Sequence, residues 1–147
     1  MSNFVEKING GLSVDDRGSV SYINDFNFNG VKRSYMVENH SVGFIRAWHG
    51  HNKEGKYVWV VSGSALVQAI PMSSLDIGVN VGLERHVLSA KTPSVLWIPS
   101  GFANGFKTLE KDTKIMFFST STLEDSLGDD TRYAYDVLDN AWDIEYR

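Results

Sequence analysis

The sequence predicts an all-β fold, and two observations carry this prediction. Runs rich in β-branched and aromatic residues recur along the 147-residue chain, separated by Gly, Asn, Asp, Pro and Ser. Helical periodicity is scarce, and only the tail from about Leu123 onward is ambiguous. Evenly spaced short strands are typical of a β-sandwich or barrel. The length fits one hydrophobic core, so we expect a single domain over residues 1–147.

Seven segments are predicted as strands because they concentrate β-branched and aromatic residues between turn-forming residues. They are residues 20–23, 32–37, 57–61, 65–70, 86–88, 95–98 and 114–119. A tight turn at residues 15–18 precedes the first strand, and residues 78–82 form a loop tip before the fifth. No internal repeat or low-complexity linker interrupts the pattern.

Composition argues against several classes of function. The net charge is −4 and the 14 Lys and Arg residues are scattered, so we expect no nucleic-acid partner. No apolar run approaches the ~20 residues of a membrane span, and residues 1–6 lack the parts of a signal peptide. The chain has no cysteine, which excludes disulfides and thiolate sites. We therefore expect a soluble cytoplasmic protein with no membrane partner.

Two histidines, two residues apart, lie on a further extended segment. Residues two apart in a strand share a face, so Ala47, His49 and His51 are expected to point the same way. Arg46 and Trp48 are then expected on the opposite face.

The strand that follows begins with a lysine. Lys56, Val58 and Val60 are expected to share one face of this strand. If the two strands pair around a turn at residues 52–55, His49 and Lys56 project into the same interior.

Both segments fit a known spacing. From Gly43 there are five residues to His49, one to His51, four to Lys56 and six to Gly63. This pattern resembles the first signature of the cupin β-barrels, in which two histidines and a glutamate bind a metal ion. The resemblance implies a cupin jelly roll in which a lysine occupies the position of the glutamate.

That lysine and a second substitution argue against a metal site. Residues 99–104 resemble the second cupin signature, which normally ends in a histidine ligand but here ends in Asn104. Divalent cations bind imidazole and carboxylate groups and are repelled by an ammonium group. We therefore expect no metal and no other cofactor, with a fixed positive charge at Lys56 instead.

Beyond the cupin spacing, the chain resembles the nucleotide-sugar epimerases typified by dTDP-4-dehydrorhamnose 3,5-epimerase. The matching segments, in the family's order, are Asp15-Asp-Arg-Gly18, Asn39-His-Ser41, Arg46-Ala-Trp-His49, Gly55-Lys-Tyr-Val58, Trp97-Ile-Pro-Ser-Gly-Phe-Ala-Asn-Gly-Phe106 and Trp142-Asp-Ile-Glu-Tyr146. The resemblance covers nearly the whole chain. It implies a nucleotide diphospho-4-keto-6-deoxyhexose as substrate.

The resemblance also implies roles for individual residues. His49 matches the base that removes a proton beside the C4 ketone, a task suited to an imidazole at neutral pH. Lys56 matches the cation that stabilises the resulting enolate. Arg17 matches an arginine that contacts the diphosphate, Arg46 matches an active-site arginine, and Asn104 is a candidate for binding substrate.

Three departures from the family's pattern bear on the reaction. The catalytic tyrosine that returns the proton should fall near Leu123, where the chain has none. Asn104 replaces a histidine. The aspartate that orients the catalytic histidine belongs to a C-terminal extension beyond the position of Arg147. Inversion at C3 alone needs less apparatus than inversion at C3 and C5, so it is the leading hypothesis.

Two alternatives stay open. Sugar 3,4-ketoisomerases are cupins of about this length with a paired His-x-His, which His49 and His51 match, and residues 31–35 resemble their segment with a functional tyrosine, here Tyr35. The group that returns the proton is Tyr35, His51 or a water. A catalytically silent barrel that binds sugar nucleotides is the other alternative.

The resemblance further implies a homodimer, since relatives pair through their N-terminal strands. It also implies a role in making a deoxysugar for a surface polysaccharide or a glycosylated metabolite. Which nucleotide the substrate carries stays open.

Overall fold

The computed structural model describes residues 2–147, which form two five-stranded antiparallel sheets and a separate hairpin. Sheet 1 contains, in spatial order, β1 (Glu6–Asn9), β9 (Ser94–Ile98), β6 (Lys56–Ser62), β11 (Lys114–Ser119) and β4 (Arg33–Glu38). Sheet 2 contains β12 (Thr131–Arg132), β5 (Ile45–Gly50), β10 (Phe102–Thr108), β7 (Ser64–Pro71) and β8 (Glu84–Ser89). The hairpin pairs β2 (Gly11–Asp15) with β3 (Gly18–Tyr22). Two short helices, α1 (Met72–Asp76) and α2 (Leu123–Leu127), follow β7 and β11.

The prediction of an all-β fold is confirmed. All seven predicted strands are present, and their ends differ from the prediction by at most two residues. Composition did not reveal β10, because Asn104 and Gly105 are turn-forming residues. They are extended in the structure because β10 pairs with β5 on one side and β7 on the other.

The two sheets pack face to face over a central core. Val58 and Val60 of sheet 1 are at most 1% exposed and share a cluster with Val67 and Phe106 of sheet 2. The predicted alternation along β6 is therefore confirmed, and Lys56 starts the strand on this inward face.

Both sheets are also covered on their outer faces, which explains why β6, β7 and β9 are almost continuously apolar. Segment 23–31 lies against the outer face of sheet 1, where its side chains pack with Tyr57 and Trp97. Helix α1 and the C-terminal tail cover sheet 2.

The C-terminal tail is attached to sheet 2 by packing and by hydrogen bonds. The ring of Trp142 is 4% exposed and its centroid lies 5.0 Å from that of Trp48, which is fully buried. The amide of Gln68 donates to the carbonyl of Ala141 over 2.8 Å, and Lys107 Nζ donates to the carbonyl of Trp142 over 3.0 Å. The tail is thus part of the folded barrel.

Over the described range 2–147, none of the helices has the length and apolar character needed to traverse a bilayer.

Truncating the tail's indole should destabilise the barrel. We expect Trp142→Ala to lower the free energy of unfolding by about 3–5 kcal/mol, because it removes a large buried ring from a packed cluster. Chemical denaturation followed by tryptophan fluorescence and circular dichroism measures the change. Tyr146, in the same tail but fully exposed, provides the control. Tyr146→Ala should change the free energy by less than about 0.5 kcal/mol; equal effects would contradict tail docking as a source of stability.

Candidate active site

A cavity of about 260 Å³ opens between the two sheets. Its walls are formed by Tyr35, Val37, Arg46, His49, His51, Lys56, Asn104, Phe106, Phe117, Ser126, Leu127, Asp130 and Arg132. Six of the seven residues that the sequence singled out for catalysis or binding therefore meet at one place. Arg17 is the exception.

His49 and Lys56 reach the cavity from opposite sheets. The sequence suggested that their strands pair around residues 52–55, and this expectation is wrong, because β5 pairs with β10 and β12 whereas β6 pairs with β9 and β11. The loop between them crosses from sheet 2 to sheet 1. The expectation of a shared interior is met all the same, because inward faces of opposed sheets meet in the core.

The expected orientation of Arg46 is also wrong. The register of β5 against β10 shifts between Asn104 and Phe106, which inserts one extra residue into β5. Residues 47 and 48 both pack in the outer cluster of sheet 2, and Arg46 and His49 line the same cavity although they are three residues apart. Simple alternation fails at such a bulge. The Arg46 Nε–H donates to the side-chain oxygen of Asn39 over 2.7 Å, which holds the guanidinium at the cavity rim.

His49 has an aspartate beside it. Its Nδ1 lies 4.0 Å from Oδ1 of Asp130, and Arg132 pairs with His49 across β12 and β5. Burial, then the positive charges of Lys56 and Arg132, lower the pKa of His49, while Asp130 acts to raise it. His49 is therefore neutral at physiological pH and able to accept a proton. An aspartate of the segment between α2 and β12 thus lies beside the imidazole.

Lys56 is 7% exposed and lies over the ring of Phe117, with 6.0 Å between Nζ and the ring centroid. Burial lowers the pKa of Lys56, and the carboxylate of Glu54, 3.8 Å away, opposes this effect. Burial would raise the pKa of Glu54, but hydrogen bonds from His51 and Ser119 and the charge of Lys56 hold it at about 2. The lysine thus has a permanent counter-ion under the cavity floor.

His51 is 4% exposed and follows the last residue of β5. Its Nε2 lies 3.0 Å from Oε2 of Glu54, and its Nδ1 contacts the backbone carbonyl of Asp129. The carboxylate of Asp129 accepts hydrogen bonds from three successive backbone N–H groups, those of residues 52–54, over 2.8, 2.8 and 3.1 Å. The loop between β5 and β6 is therefore tied to the segment after α2.

Tyr35 and Asn104 complete the pocket. The Tyr35 ring, on β4 of sheet 1, stacks on Phe117 with 5.0 Å between centroids. Burial, together with the negative charge of Glu54, raises the pKa of Tyr35 to about 12. The Asn104 amide donates to the backbone carbonyl of His49 over 3.2 Å, so it contributes to the position of the β5 backbone.

Arg17 does not line this cavity. It lies in the turn of the β2–β3 hairpin, where its guanidinium contacts the carboxylate of Asp15 over 2.6 Å and is almost fully exposed. Within one copy of the chain, the hairpin presents this arginine to solvent.

Sequence reasoning missed three charged residues of the site. Glu54 lies in the segment interpreted as a plain turn, and Asp130 and Arg132 lie in the tail whose structure was ambiguous. The pair Asp129 and Asp130, placed before a β-prone Thr-Arg, was the available signal. It has meaning only once β12 is known to pair with β5.

Among residues 2–147, no three side chains of His, Asp or Glu are arranged to hold a metal ion. Lys56 contributes a basic side chain to the wall of the cavity.

Removing the charge beside His49 should change its titration. The carboxylate of Asp130 stabilises the imidazolium form, so Asp130→Asn should lower the pKa of His49 further. NMR titration of the imidazole resonances measures it, with assignment from the spectrum of His49→Asn. Asp136→Asn removes an exposed carboxylate from the same tail and should leave the titration unchanged. An unaltered His49 titration in Asp130→Asn would show that this aspartate does not act on the base.

Comparison with known proteins shows the family to which the chain belongs. The profile of the family described as dTDP-4-dehydrorhamnose 3,5-epimerase matches residues 8–146. The dTDP-4-dehydrorhamnose 3,5-epimerase of Salmonella typhimurium is 33% identical over 100 residues, which are 63% of this chain and 53% of that protein. This chain thus spans about half the length of that curated relative.

Solved structures show the same fold. ChmJ, a 3'-monoepimerase from Streptomyces bikiniensis determined with dTDP-quinovose, superposes with a TM-score of 0.73 at 14% identity, covering 90% of this chain and 70% of that one. QdtA, a sugar 3,4-ketoisomerase from Thermoanaerobacterium thermosaccharolyticum determined with TDP, superposes with a TM-score of 0.69 at 17% identity. This superposition covers 96% of each chain. The cupin jelly roll predicted from the signatures is confirmed. The match over residues 8–146 places this chain in the dTDP-4-dehydrorhamnose 3,5-epimerase family.

Proposed function

We propose that this protein inverts C3 of a nucleotide diphospho-4-keto-6-deoxyhexose, using one cupin domain and no metal or other cofactor. The observation that carries the proposal is the opposition of His49 and Lys56 across one cavity. A neutral base and a buried cation are the two groups that proton abstraction beside a ketone requires.

The first step is the transfer of a proton from C3 to His49. The electron pair of the broken C–H bond forms the C3–C4 double bond, and the former ketone oxygen at C4 becomes an enolate. The Lys56 ammonium stabilises that oxygen in surroundings of low dielectric, where such an interaction is stronger than in water. The lowered pKa of His49 keeps the base free at neutral pH.

Tyr35 is the best-placed group to return the proton. It projects from β4 in sheet 1, whereas His49 projects from β5 in sheet 2. A sugar held between them presents one face to each, so return of a proton from the opposite side inverts C3. With a pKa raised to about 12, the phenol holds its proton until the enolate takes it. Exchange with water then restores both residues.

The cavity mouth suits an anionic substrate in spite of the net charge of −4. Arg46 and Arg132 lie on its rim, and guanidinium groups bind phosphate oxygens in pairs. These arginines are proposed to hold the diphosphate while the sugar enters the cavity. Such a nucleotide sugar is a cytoplasmic metabolite, and a deoxysugar for polysaccharide synthesis is the expected product.

One observation favours 3,4-ketoisomerisation as the second candidate. His51 and Tyr35 both line the cavity. The pair His49 and His51 is the sequence feature that resembles the ketoisomerases. That reaction begins with the same loss of a proton from C3, but the proton returns to C4 and the ketone moves to C3.

Deuterium oxide separates these functions. Incubation with a 4-keto-6-deoxy nucleotide sugar should place deuterium at C3 only, read by NMR and mass spectrometry. His49→Asn should slow this exchange by about 10²–10⁴-fold, the usual contribution of a general base. His86, a partly buried histidine of β8 outside the cavity, provides the control, and His86→Asn should exchange at the wild-type rate.

Each other outcome contradicts part of the proposal. Deuterium at both C3 and C5 would indicate a double epimerase, and a 3-keto product would indicate the ketoisomerase. An active His49→Asn variant would exclude His49 as the base. No exchange by the wild-type protein with dTDP, CDP, GDP and UDP sugars would leave a binding role alone.

We further propose that two copies assemble through the β2–β3 hairpin. Residues 12–22 are exposed, with Val14 73% and Val20 64% accessible, and the hairpin pairs with neither sheet. An isolated two-stranded hairpin is marginally stable in water, so a second copy is the expected support. Arg17 at its tip would then reach the mouth of the partner's cavity and bind the diphosphate.

Light scattering and kinetics test this assembly. Val20→Asp should convert a dimer into a monomer, because it places a charge on the apolar contact. Val87→Asp, an equally exposed change on β8, should leave the dimer intact. Arg17→Ala should keep the dimer and raise KM about tenfold, as expected for loss of one charged hydrogen bond to phosphate. A monomeric wild-type protein would contradict the proposed dimer. An unchanged KM in Arg17→Ala would contradict the proposed contact between Arg17 and the diphosphate.

A further inference from the structure

The carboxylate of Glu54 occupies an unusual place beneath the cavity. It is 2% exposed and lies against four polar side chains, which belong to four parts of the fold. Its Oε1 accepts from the hydroxyl of Ser119 on β11 and from Arg33 Nη2 on β4, the latter over 3.2 Å. Its Oε2 lies 3.0 Å from His51 Nε2 and 3.8 Å from Lys56 Nζ. A buried carboxylate with this many donors remains ionised.

His51 is held at both ring nitrogens. Nε2 faces the carboxylate of Glu54, and Nδ1 faces the backbone carbonyl of Asp129. Both ring nitrogens therefore lie against acceptor oxygens of the protein. Neither nitrogen of His51 is then free to face a molecule in the cavity, although the edge of its ring forms part of the wall.

Lys56 lies farther from the same carboxylate than His51 does. At 3.8 Å its ammonium is close enough for strong charge attraction but too far for a hydrogen bond. Its N–H groups are therefore not used by Glu54 and stay available for an oxygen in the cavity. Glu54 compensates the charge of Lys56 without occupying its donors.

We propose that Glu54 and His51 are a buried positioning pair: His51 packs both ring nitrogens against protein oxygens and so fixes the Glu54 carboxylate, and that carboxylate keeps Lys56 charged and in place. His51 exchanges no proton with the substrate. The proposal rests on the epimerase function proposed above and assigns His51, a candidate proton donor by sequence, to a positioning role. The charged and titratable groups that face the pair are Arg33, His49, Lys56, Asp129 and Asp130.

Nitrogen-15 NMR of the histidine side chains tests the pair without any substrate. A ring N–H proton of His51 should exchange slowly with solvent, because both ring nitrogens contact buried oxygens, whereas a ring N–H of the more exposed His49 should exchange rapidly; His51→Gln provides the assignment. Glu54→Gln should speed this exchange at His51, and Glu38→Gln, the same change at an exposed position of β4, should not. A His51 ring N–H that exchanges as fast as that of His49 in the wild-type protein would overturn the proposal.

Carbon-13 NMR of the lysine side chains tests the effect on Lys56 in the same samples. Since the Glu54 carboxylate opposes the loss of charge from the buried amine, Lys56 should titrate at lower pH in Glu54→Gln than in wild type. Glu54→Asp retains the carboxylate and should restore most of the wild-type titration. If Glu54→Gln does not fold, Glu54→Asp can be compared with the wild-type protein instead. Identical Lys56 titrations in all three proteins would overturn the proposal.

The rate of C3 exchange gives the catalytic readout. When the pH is raised from 7 to 9, the exchange rate of Glu54→Gln should fall by about tenfold more than that of the wild-type protein, as expected for the loss of one charge interaction at this distance. Glu54→Asp should follow the wild-type profile. His51→Gln can still donate to Glu54 and should lose far less exchange than His49→Asn; an equal loss would make His51 catalytic and overturn the proposal. If the wild-type protein exchanges nothing, the epimerase function fails, and the two NMR experiments still decide the positioning pair.

Discussion

The geometry of the site depends on the buried carboxylate of Glu54, which joins sheet 1 to the loop arriving from sheet 2. Ser119 and Arg33 hold it from β11 and β4, and His51 holds it from the end of β5. Leaving one member of such a buried charged cluster without its partner typically costs about 3–5 kcal/mol. The cluster therefore restricts where the loop can lie. Because Lys56 begins β6 two residues later, the same contacts place the ammonium in the cavity.

Asp129 holds the same loop from a second direction, through the segment that follows α2. Its carboxylate caps three backbone N–H groups of the loop, and its carbonyl accepts from His51. The next residues then pair with β5, so Asp130 comes to lie beside His49. In this way the segment between α2 and β12 places a carboxylate beside the imidazole.

The fold and most of the site could be predicted from the sequence because they depend on local patterns. The apolar strand segments predicted the all-β fold, and the resemblance in spacing from Gly43 to Gly63 predicted that His49 and Lys56 share one interior. The orientation of Arg46 could not be predicted, because it depends on one extra residue in β5 that is visible only in the register with β10. Glu54 and Asp130 could not be predicted either, since each acquires its role through a contact with a distant segment. The roles of the site residues in catalysis remain predictions.

The replacement of a metal ligand by Lys56 has a physical cost that the surrounding charges offset. A buried ammonium loses its hydration and tends to become neutral, and a neutral amine would stabilise an enolate poorly. The counter-charge of Glu54 prevents this loss, but a carboxylate in direct contact would also neutralise the field that the enolate needs. The separation of 3.8 Å is a compromise between the two demands. Arg33 and His51 share the carboxylate and weaken its pull on the lysine. The cavity therefore stays cationic inside a protein whose net charge is −4.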